Sequence, residues 1–452
     1  MNSILFRGGR VIDPARALDG FFEVLVRDGK IAALESDRTG INLQAVTLVD
    51  VSGCWIVPGL IDPHVHLRDP GFPEKETILT GLRAAAAGGF TTVAAMANTS
   101  PVNDNPAITR YMLERAKDAH SARMVPVSAV TQGLRGTEPV DFAAMVDAGA
   151  RLFSDDGIPI DDAMVLSRAL DETRRLGYAV ALHEEDRALS CNGALNAGAI
   201  AEHLGVSGYT DSAESERVRR DLAIAIGSGA AVHVCHVSTA ESLELIRAAR
   251  RHGAQVTCEA APHHFTLDES AAITWGPNAK MNPPLRSRDD VEALHAAICD
   301  GTIDMIASDH APHDPKSKRM EQLAAFFGPG HVAARLEHDT AEIFAHAANG
   351  VVGLETSLGL ALELVHRSLI EPARLVQMMS VNPAALLRLE AGTLAEGALA
   401  DITVIDPNLE WTVAPEKFLS KSRNTPFAGM RLKGKALLTM VAGEIVYDGR
   451  KA

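Results

Sequence analysis

From about residue 57 to residue 395 the chain alternates short apolar runs with longer Ala-, Leu- and Arg-rich stretches. The runs TTVAAMAN, RMVPVSAV, RLFSDD, AVALHEE, AVHVCHVS, QVTCEAAPHH and IDMIASDHAPH read as strands. Between them, ILTGLRAAAAGG, DDAMVLSRALDETRRLG, ESERVRRDLAIAIGSG and TAESLELIRAARRHG predict helices. Alternation of this kind, kept up for over 300 residues, implies a parallel α/β architecture. The two ends have another texture. ILFRGGRVID, FEVLVRDGKIAALE and LVDVSGCWIV near the start, and DITVIDPNLEW and RLKGKALLTMVAGEIVYDG near the close, are β-branched segments punctuated by Gly and Asp. This predicts one small β-sandwich assembled from residues 1–56 and 396–452, with a barrel domain over 57–395.

The polar residues decide between α/β topologies. Each apolar run ends in a His, Asp or Asn: Asn98, Asp155 and Asp156, His183, His236, His263 and His264, Asp309. In a (β/α)8 barrel the C-terminal strand ends converge on one mouth, so residues distant in sequence would meet there. An open doubly wound sheet would spread them along an edge. The barrel is the better account.

Composition narrows the chemistry. The chain has 452 residues, 46% of them hydrophobic and 22% charged, as in an ordinary globular protein. With 43 Lys+Arg against 58 Asp+Glu the net charge is −15, which speaks against nucleic-acid or anionic-membrane binding. No apolar stretch is long enough for a membrane span, and the start lacks the features of a signal peptide. Cys54, Cys191, Cys235, Cys258 and Cys299 form no CxxC pair and read as spacers in a reducing compartment, which predicts a cytoplasmic location. No phosphate-binding GxxxxGK[ST] or strand-bound GxGxxG is present.

Histidine is the unusual residue. His64 and His66 form a His-x-His within IVPGLIDPHVHLRDPG, and period-two geometry would turn both to one strand face. Two imidazoles so placed can hold one divalent metal. With the His and Asp residues at later strand ends, the donor set suits zinc, or manganese or cobalt in its place. Four histidines and two aspartates exceed what one tetrahedral ion needs, and point to two ions sharing a carboxylate. FSDDG offers Asp155 and Asp156 for that bridge.

In order along the chain, HVHLRDPG, AAAAGGFTTV, MANTSPV, FSDDG, HVCHVST, APHH, KMNPPLRS, SDHAPH and GTLAEGALADITVID resemble the amidohydrolase superfamily, and within it the class I, bacterial-type dihydroorotases. The resemblance spans about residues 50–445. It implies a distorted (β/α)8 TIM-type barrel, zinc, and reversible cyclisation of N-carbamoyl-L-aspartate to dihydroorotate, the third step of pyrimidine synthesis. Carried over, His64 and His66 would hold the first ion and His183 and His236 the second. Asp156, chosen over Asp155 for its spacing to His183, would bridge two zinc ions. Asp309 would touch the first ion and move the proton. His66, Arg68, Asn98, Asn282, His313 and Gly350 would contact substrate. Arg68, expected on the same strand face as His66, can grip a carboxylate through two parallel hydrogen bonds. His233, His263, His264 and His310 read as core residues or as groups orienting the ligands from behind.

Hydroxide at neutral pH is what the hydrolytic direction needs, and zinc lowers the pKa of water to about 7. Departures from the family pattern are Ala97, where a proline is expected, and Ala348-Asn349-Gly350 in place of a Pro-Phe-Gly loop. A long connection follows SDHAPH, and its portion at 318–349 reads equally as a lid, an oligomer contact or a plain insertion. Partner expectations are a small-molecule substrate, a homodimer and a complex with aspartate carbamoyltransferase. Two rivals stand beside this reading. An allantoinase or hydantoinase is disfavoured because no lysine stands at the bridge; a non-catalytic partner subunit is disfavoured because all the expected ligands are kept.

Overall fold

A computed structural model describes residues 3–35, 46–319 and 338–451. Eight strands form one parallel sheet: β1 (Leu60–Val65), β2 (Phe90–Ala95), β3 (Arg123–Ser128), β4 (Leu152–Phe153), β5 (Val180–Leu182), β6 (Ala231–Val234), β7 (Gln255–Ala260) and β8 (Met305–Ile306). They follow one another around the sheet in chain order. The seam is closed just beyond β8. Val65 and His310 form a parallel bridge, the His66 N–H donates to the His310 carbonyl at 2.8 Å, and the Ser308 N–H donates to Asp62 at 3.1 Å. Register shifts between β1 and β2 make the barrel irregular.

Helices cover the outside because their sequences carry both an apolar stripe and their own stops. Ala163–Leu176 is representative. It buries Val165, Leu166, Ala169, Leu170 and Thr173, is capped by Asp162, and ends at Gly177 in the left-handed region. The AAAAGG run ends helix Ile78–Ala87, and Gly88 is required there: a Cβ would lie 2.1 Å from the Leu354 carbonyl oxygen.

A β-sandwich takes strands from both chain ends. A four-stranded sheet orders Lys30–Glu35, Glu23–Arg27, Ser3–Arg7 and Thr47–Asp50. The second, six-stranded, orders Glu444–Asp448, Arg431–Val441, Ile402–Thr412, Trp55–Pro58, Arg10–Asp13 and Leu18–Phe21. Phe6, Val24, Ile56, Ile402, Val404, Leu438 and Met440 share its core.

The hairpin Ile402–Thr412/Arg431–Val441 joins sandwich to barrel. At its base, Gly59 N–H donates to the Asp401 carbonyl at 2.9 Å, and the Thr403 hydroxyl donates to the Gly89 carbonyl at 2.6 Å, both below the starts of barrel strands. At its tip, the Ser422 hydroxyl donates to the Lys75 carbonyl at 2.6 Å, beyond the C-terminal end of β1. The hairpin therefore runs the height of the barrel, from floor to mouth.

Two expectations change. Arg68 does not share a strand face with His66: β1 ends at Val65, and Arg68 has a φ of 58°, so period-two alternation no longer applies. Of the 318–349 connection, residues 320–337 lie outside the described residues; His338–His346 is a helix, and Lys318 is buried, donating to the carbonyls of Pro277 (2.7 Å) and Ala348 (2.9 Å).

Candidate active site

The C-terminal strand ends bring four imidazoles and two carboxylates together around Asp156. Its Oδ1 lies 3.5 Å from His64 Nε2, His183 Nδ1 and His236 Nε2, and its Oδ2 lies 3.4 Å from His66 Nε2. Asp309 Oδ1 stands 3.3 Å from His66 Nε2 and 3.7 Å from His64 Nε2. His183 Nδ1 and His236 Nε2 are 3.0 Å apart. Sharp backbone turns aim these groups inward: His236 and Asp309 have positive φ (34° and 46°), a strained conformation that clusters at functional sites.

The electrostatics are those of a charged cluster out of water. Burial alone would raise Asp156, but His64, His183 and His236 outweigh it and hold the carboxyl well below its usual range. Burial likewise disfavours charge on His64, and Asp156 with Glu259 reverses the sign and leaves it raised. His64 Nε2 and Asp156 Oδ1 are buried without a hydrogen-bond partner. Buried polar atoms that face each other without hydrogen bonds are groups that a cation can satisfy. Two donor groups, His64–Asp156–His236 and His64–His66–Asp309, each gather their ligand atoms within 4.8 Å. The imidazole and carboxylate set therefore fits divalent metal ions.

Asp155, the alternative acid of the pair, faces away. It accepts from the Val130 N–H (2.7 Å), the Thr131 N–H (3.1 Å) and the Thr131 hydroxyl. Around the cluster, Asn98 Oδ1 accepts from His66 Nδ1 at 2.9 Å, which leaves Nε2 free to point at the acids. Arg68 donates from Nε to the Pro312 carbonyl at 3.2 Å and from Nη2 to His313 Nε2 at 3.1 Å. Asn282 donates to Glu185 at 3.0 Å and keeps a buried, unpartnered Oδ1. Gly350, with φ of 119°, donates its N–H to the Lys280 carbonyl at 2.8 Å and accepts from Asn424 at 3.0 Å, so its backbone groups are engaged by protein.

The family models described as Dihydro-orotase-like and Amidohydrolase family match residues 53–242 and 365–447. Curated relatives named Dihydroorotase are similar along the full length: 44% identical over 98% of this chain and 99% of the protein in Syntrophus aciditrophicus (strain SB), and 46% over 98% and 99% in Desulforapulum autotrophicum (strain ATCC 43914 / DSM 3382 / VKM B-1955 / HRM2). The chain belongs to the dihydroorotase family. Among solved structures, the L-hydantoinase (dihydropyrimidinase) from Arthrobacter aurescens superposes with a TM-score of 0.86 at 25% identity, over 99% of this chain and 97% of its own. The dihydropyrimidinase from Brevibacillus agri NCHU1002, at 22% identity, covering 99% and 95%, and a TM-score of 0.81, shares the fold. The chain thus shares its architecture with these structures, while sequence similarity over its whole length joins it to the dihydroorotases.

In this dihydroorotase-family site, sequence reasoning expected His233 behind the donors but passed over Glu259, Glu185 and Cys235. Glu259 Oε1 accepts from His64 Nδ1 at 2.7 Å, and Oε2 accepts from His233 Nε2 at 3.0 Å; His233 Nδ1 lies 2.9 Å from Thr257 Oγ1. Burial would raise Glu259, but His64 and His233 bring it down to about 2. Cys235, read as a spacer, lies beside His64 and Glu259, in a third group of potential donors. Glu185 accepts from the Ser190 hydroxyl at 2.6 Å and stands 3.4 Å from His183 Nε2. A lone acid in the apolar strand QVTCEA was the available signal for Glu259, because a buried carboxylate needs partners. His264 anchors the Asn282 loop through the Pro283 carbonyl at 2.9 Å, and His310 Nδ1 accepts from Gly353 N–H at 3.1 Å.

Proposed function

We infer that this chain is a metal-dependent dihydroorotase, interconverting N-carbamoyl-L-aspartate and (S)-dihydroorotate in the third step of pyrimidine synthesis. The observation that carries the reading is full-length similarity of 44–46% to proteins named Dihydroorotase, in a chain whose strand ends gather the donors of a metal site. His64, His66 and Asp309 would hold one zinc ion, His183 and His236 a second, with Asp156 between them. When bound, the ions supply Lewis acidity that acidifies water and polarises the ring amide.

The protein's own groups do the rest. Asp309, held low in pKa by its imidazole neighbours despite burial, is the proton carrier: it accepts a proton from the attacking water and returns it to the leaving ring nitrogen. Arg68 grips the substrate carboxylate, and His66, Asn98, Asn282, His313 and the Gly350 turn orient the ring. Burial lowers the Arg68 guanidinium to about 10, which leaves it charged at neutral pH. Residues 57–395 would be the catalytic domain, with 1–56 and 396–452 as the sandwich. Among the described residues no helix is long and apolar enough to cross a membrane; a cytoplasmic location, a homodimer and an aspartate carbamoyltransferase complex belong to the same proposal.

The L-hydantoinase likeness (TM-score 0.86) makes a hydantoinase the second reading. The carboxylate-binding role of Arg68 disfavours it, since a hydantoin ring has no carboxylate to hold. The test is ring opening of dihydroorotate by zinc-loaded protein, followed as loss of ultraviolet absorbance, beside a chelator-treated control and a hydantoin. Chelator-sensitive turnover of dihydroorotate alone supports the proposal. Turnover of the hydantoin alone transfers the assignment to the second reading, and protein with neither turnover nor bound metal is a non-catalytic subunit.

A further inference from the structure

Residues 413–430, at the tip of the long hairpin, belong by sequence to the sandwich end of the chain yet lie on the barrel mouth. The Ser420 N–H donates to Glu355 at 3.0 Å, the Ser422 hydroxyl donates to the Lys75 carbonyl at 2.6 Å, and the Ser420 hydroxyl donates to Glu76. From this tip the Asn424 side chain, 5% exposed, reaches two other loops. Its Oδ1 accepts from the His313 N–H at 2.9 Å, and its Nδ2 donates to the carbonyls of Ala311 and Gly350, both at 3.0 Å. Its own carbonyl accepts from the Val352 N–H at 2.9 Å. The two loops are also stitched directly, Ala311 N–H to the Val351 carbonyl at 2.8 Å. Gly350 packs so closely that a Cβ would lie 2.4 Å from that of Ala311.

We propose that Asn424 is a positioning residue for substrate binding, clamping the backbone of His313 and Gly350 from the tip of the C-terminal hairpin. It touches none of the metal donors. Its effect passes through His313, whose ring lies 3.1 Å from Arg68 Nη2, so a shift of the His313 backbone moves the side chain assigned to the carboxylate. The chemistry requires an amide: two carbonyls need two N–H donors, and one N–H needs an acceptor, all from one planar group. A carboxylate of the same shape would keep the His313 bond and set oxygen against the oxygens of Ala311 and Gly350. The inference rests on the proposed roles of Arg68, His313 and Gly350 in holding substrate.

The test uses metal-loaded, full-length Asn424→Asp, His313→Ala and the double variant, with KM, kcat and metal content measured for each. Asn424→Asp is expected to raise KM about tenfold, with kcat within about threefold and metal content unchanged, the pattern of lost uniform binding. In the double variant the KM effect should be less than the product of the two single effects, because the part of the Asn424 effect that passes through His313 is already lost while the part through Gly350 remains. An unaltered KM in Asn424→Asp, beside a raised KM in His313→Ala, overturns the inference alone; independent, multiplying effects overturn it too. A wild-type KM in His313→Ala removes the substrate role itself and overturns both. Should Asn424→Asp fail to fold, Ser422→Ala loosens the same tip: a KM raised about threefold at constant kcat supports the clamp, and no change overturns it.

Discussion

The two ends of the barrel are made by the same eight strands and treat their polar groups in opposite ways. The N-terminal floor holds a cavity of about 910 Å³, lined in part by Arg250, Arg374, Arg388 and Asp304. Each of those guanidinium groups is occupied. Arg250 pairs with Asp304 and donates to the Thr302 carbonyl at 2.8 Å, Arg374 donates to the Ile303 carbonyl at 2.8 Å, and Arg388 donates to the Gly177 carbonyl at 2.6 Å. At the mouth, by contrast, His64 Nε2, Asp156 Oδ1, His263 Nε2 and Asn282 Oδ1 are buried and lack partners. Unfinished hydrogen bonding, not cavity size, marks the end where the chemistry is proposed. The floor is a fastening, in keeping with the division of labour in this fold.

The sharpest way to break that comparison is Asp309→Asn. It keeps the shape of the mouth and removes the proton acceptor, so kcat should fall about 10³-fold while most metal stays bound. Activity equal to wild type would end the role assigned to Asp309. Next, Glu259→Gln leaves an acceptor beside His64 but takes away the charge behind it. Metal affinity, read by chelator competition, should weaken about 10- to 100-fold; unchanged affinity would make Glu259 a passive core residue. At the floor, Arg374→Ala should cost about 1 kcal/mol of unfolding stability and leave kcat/KM alone. A large kinetic defect there would contradict the reading of the floor as structural.

A purely pH-dependent effect is expected at the mouth's rim. Burial pushes Glu355 up to about 7, although it accepts N–H bonds from Leu419 and Ser420. The folded state therefore holds this proton more tightly than the unfolded chain. The resulting stability is fully present below the ordinary carboxyl pKa and is lost as pH rises through 7. Glu355→Gln should flatten the pH dependence of the unfolding midpoint across that interval, and an unaltered slope would show that Glu355 does not contribute to it.

What could be read from sequence followed from periodicity and strand ends. The barrel, the sandwich texture of the termini and the donors at strand edges are local patterns with a geometric consequence, and they were legible for that reason. The Asp155/Asp156 choice came from the family spacing to His183 and not from local pattern. Adjacent side chains point apart, and the three donors on Val130 and Thr131 that turn Asp155 outward are visible only in the fold. Arg68 was misplaced because alternation was extended past Val65, where the strand stops. Asn424 and Glu259 act on residues far away in the chain (His313 and His64), and only closure of the barrel brings those partners into reach.

The hairpin that climbs from floor to mouth has a consequence for how the molecule is made. Asn424 and its strands, Ile402–Thr412 and Arg431–Val441, come after all of the proposed metal donors in the chain, and Ile402–Ile405 pairs with Trp55–Pro58 near the beginning. Strand pairing between segments so far apart is slow to nucleate, and chains of this size fold in stages during synthesis. On the ribosome, every proposed metal donor is translated before the tip that carries Asn424. The Asn424 clamp on the His313 and Gly350 loops is thus the last of these contacts to be translated.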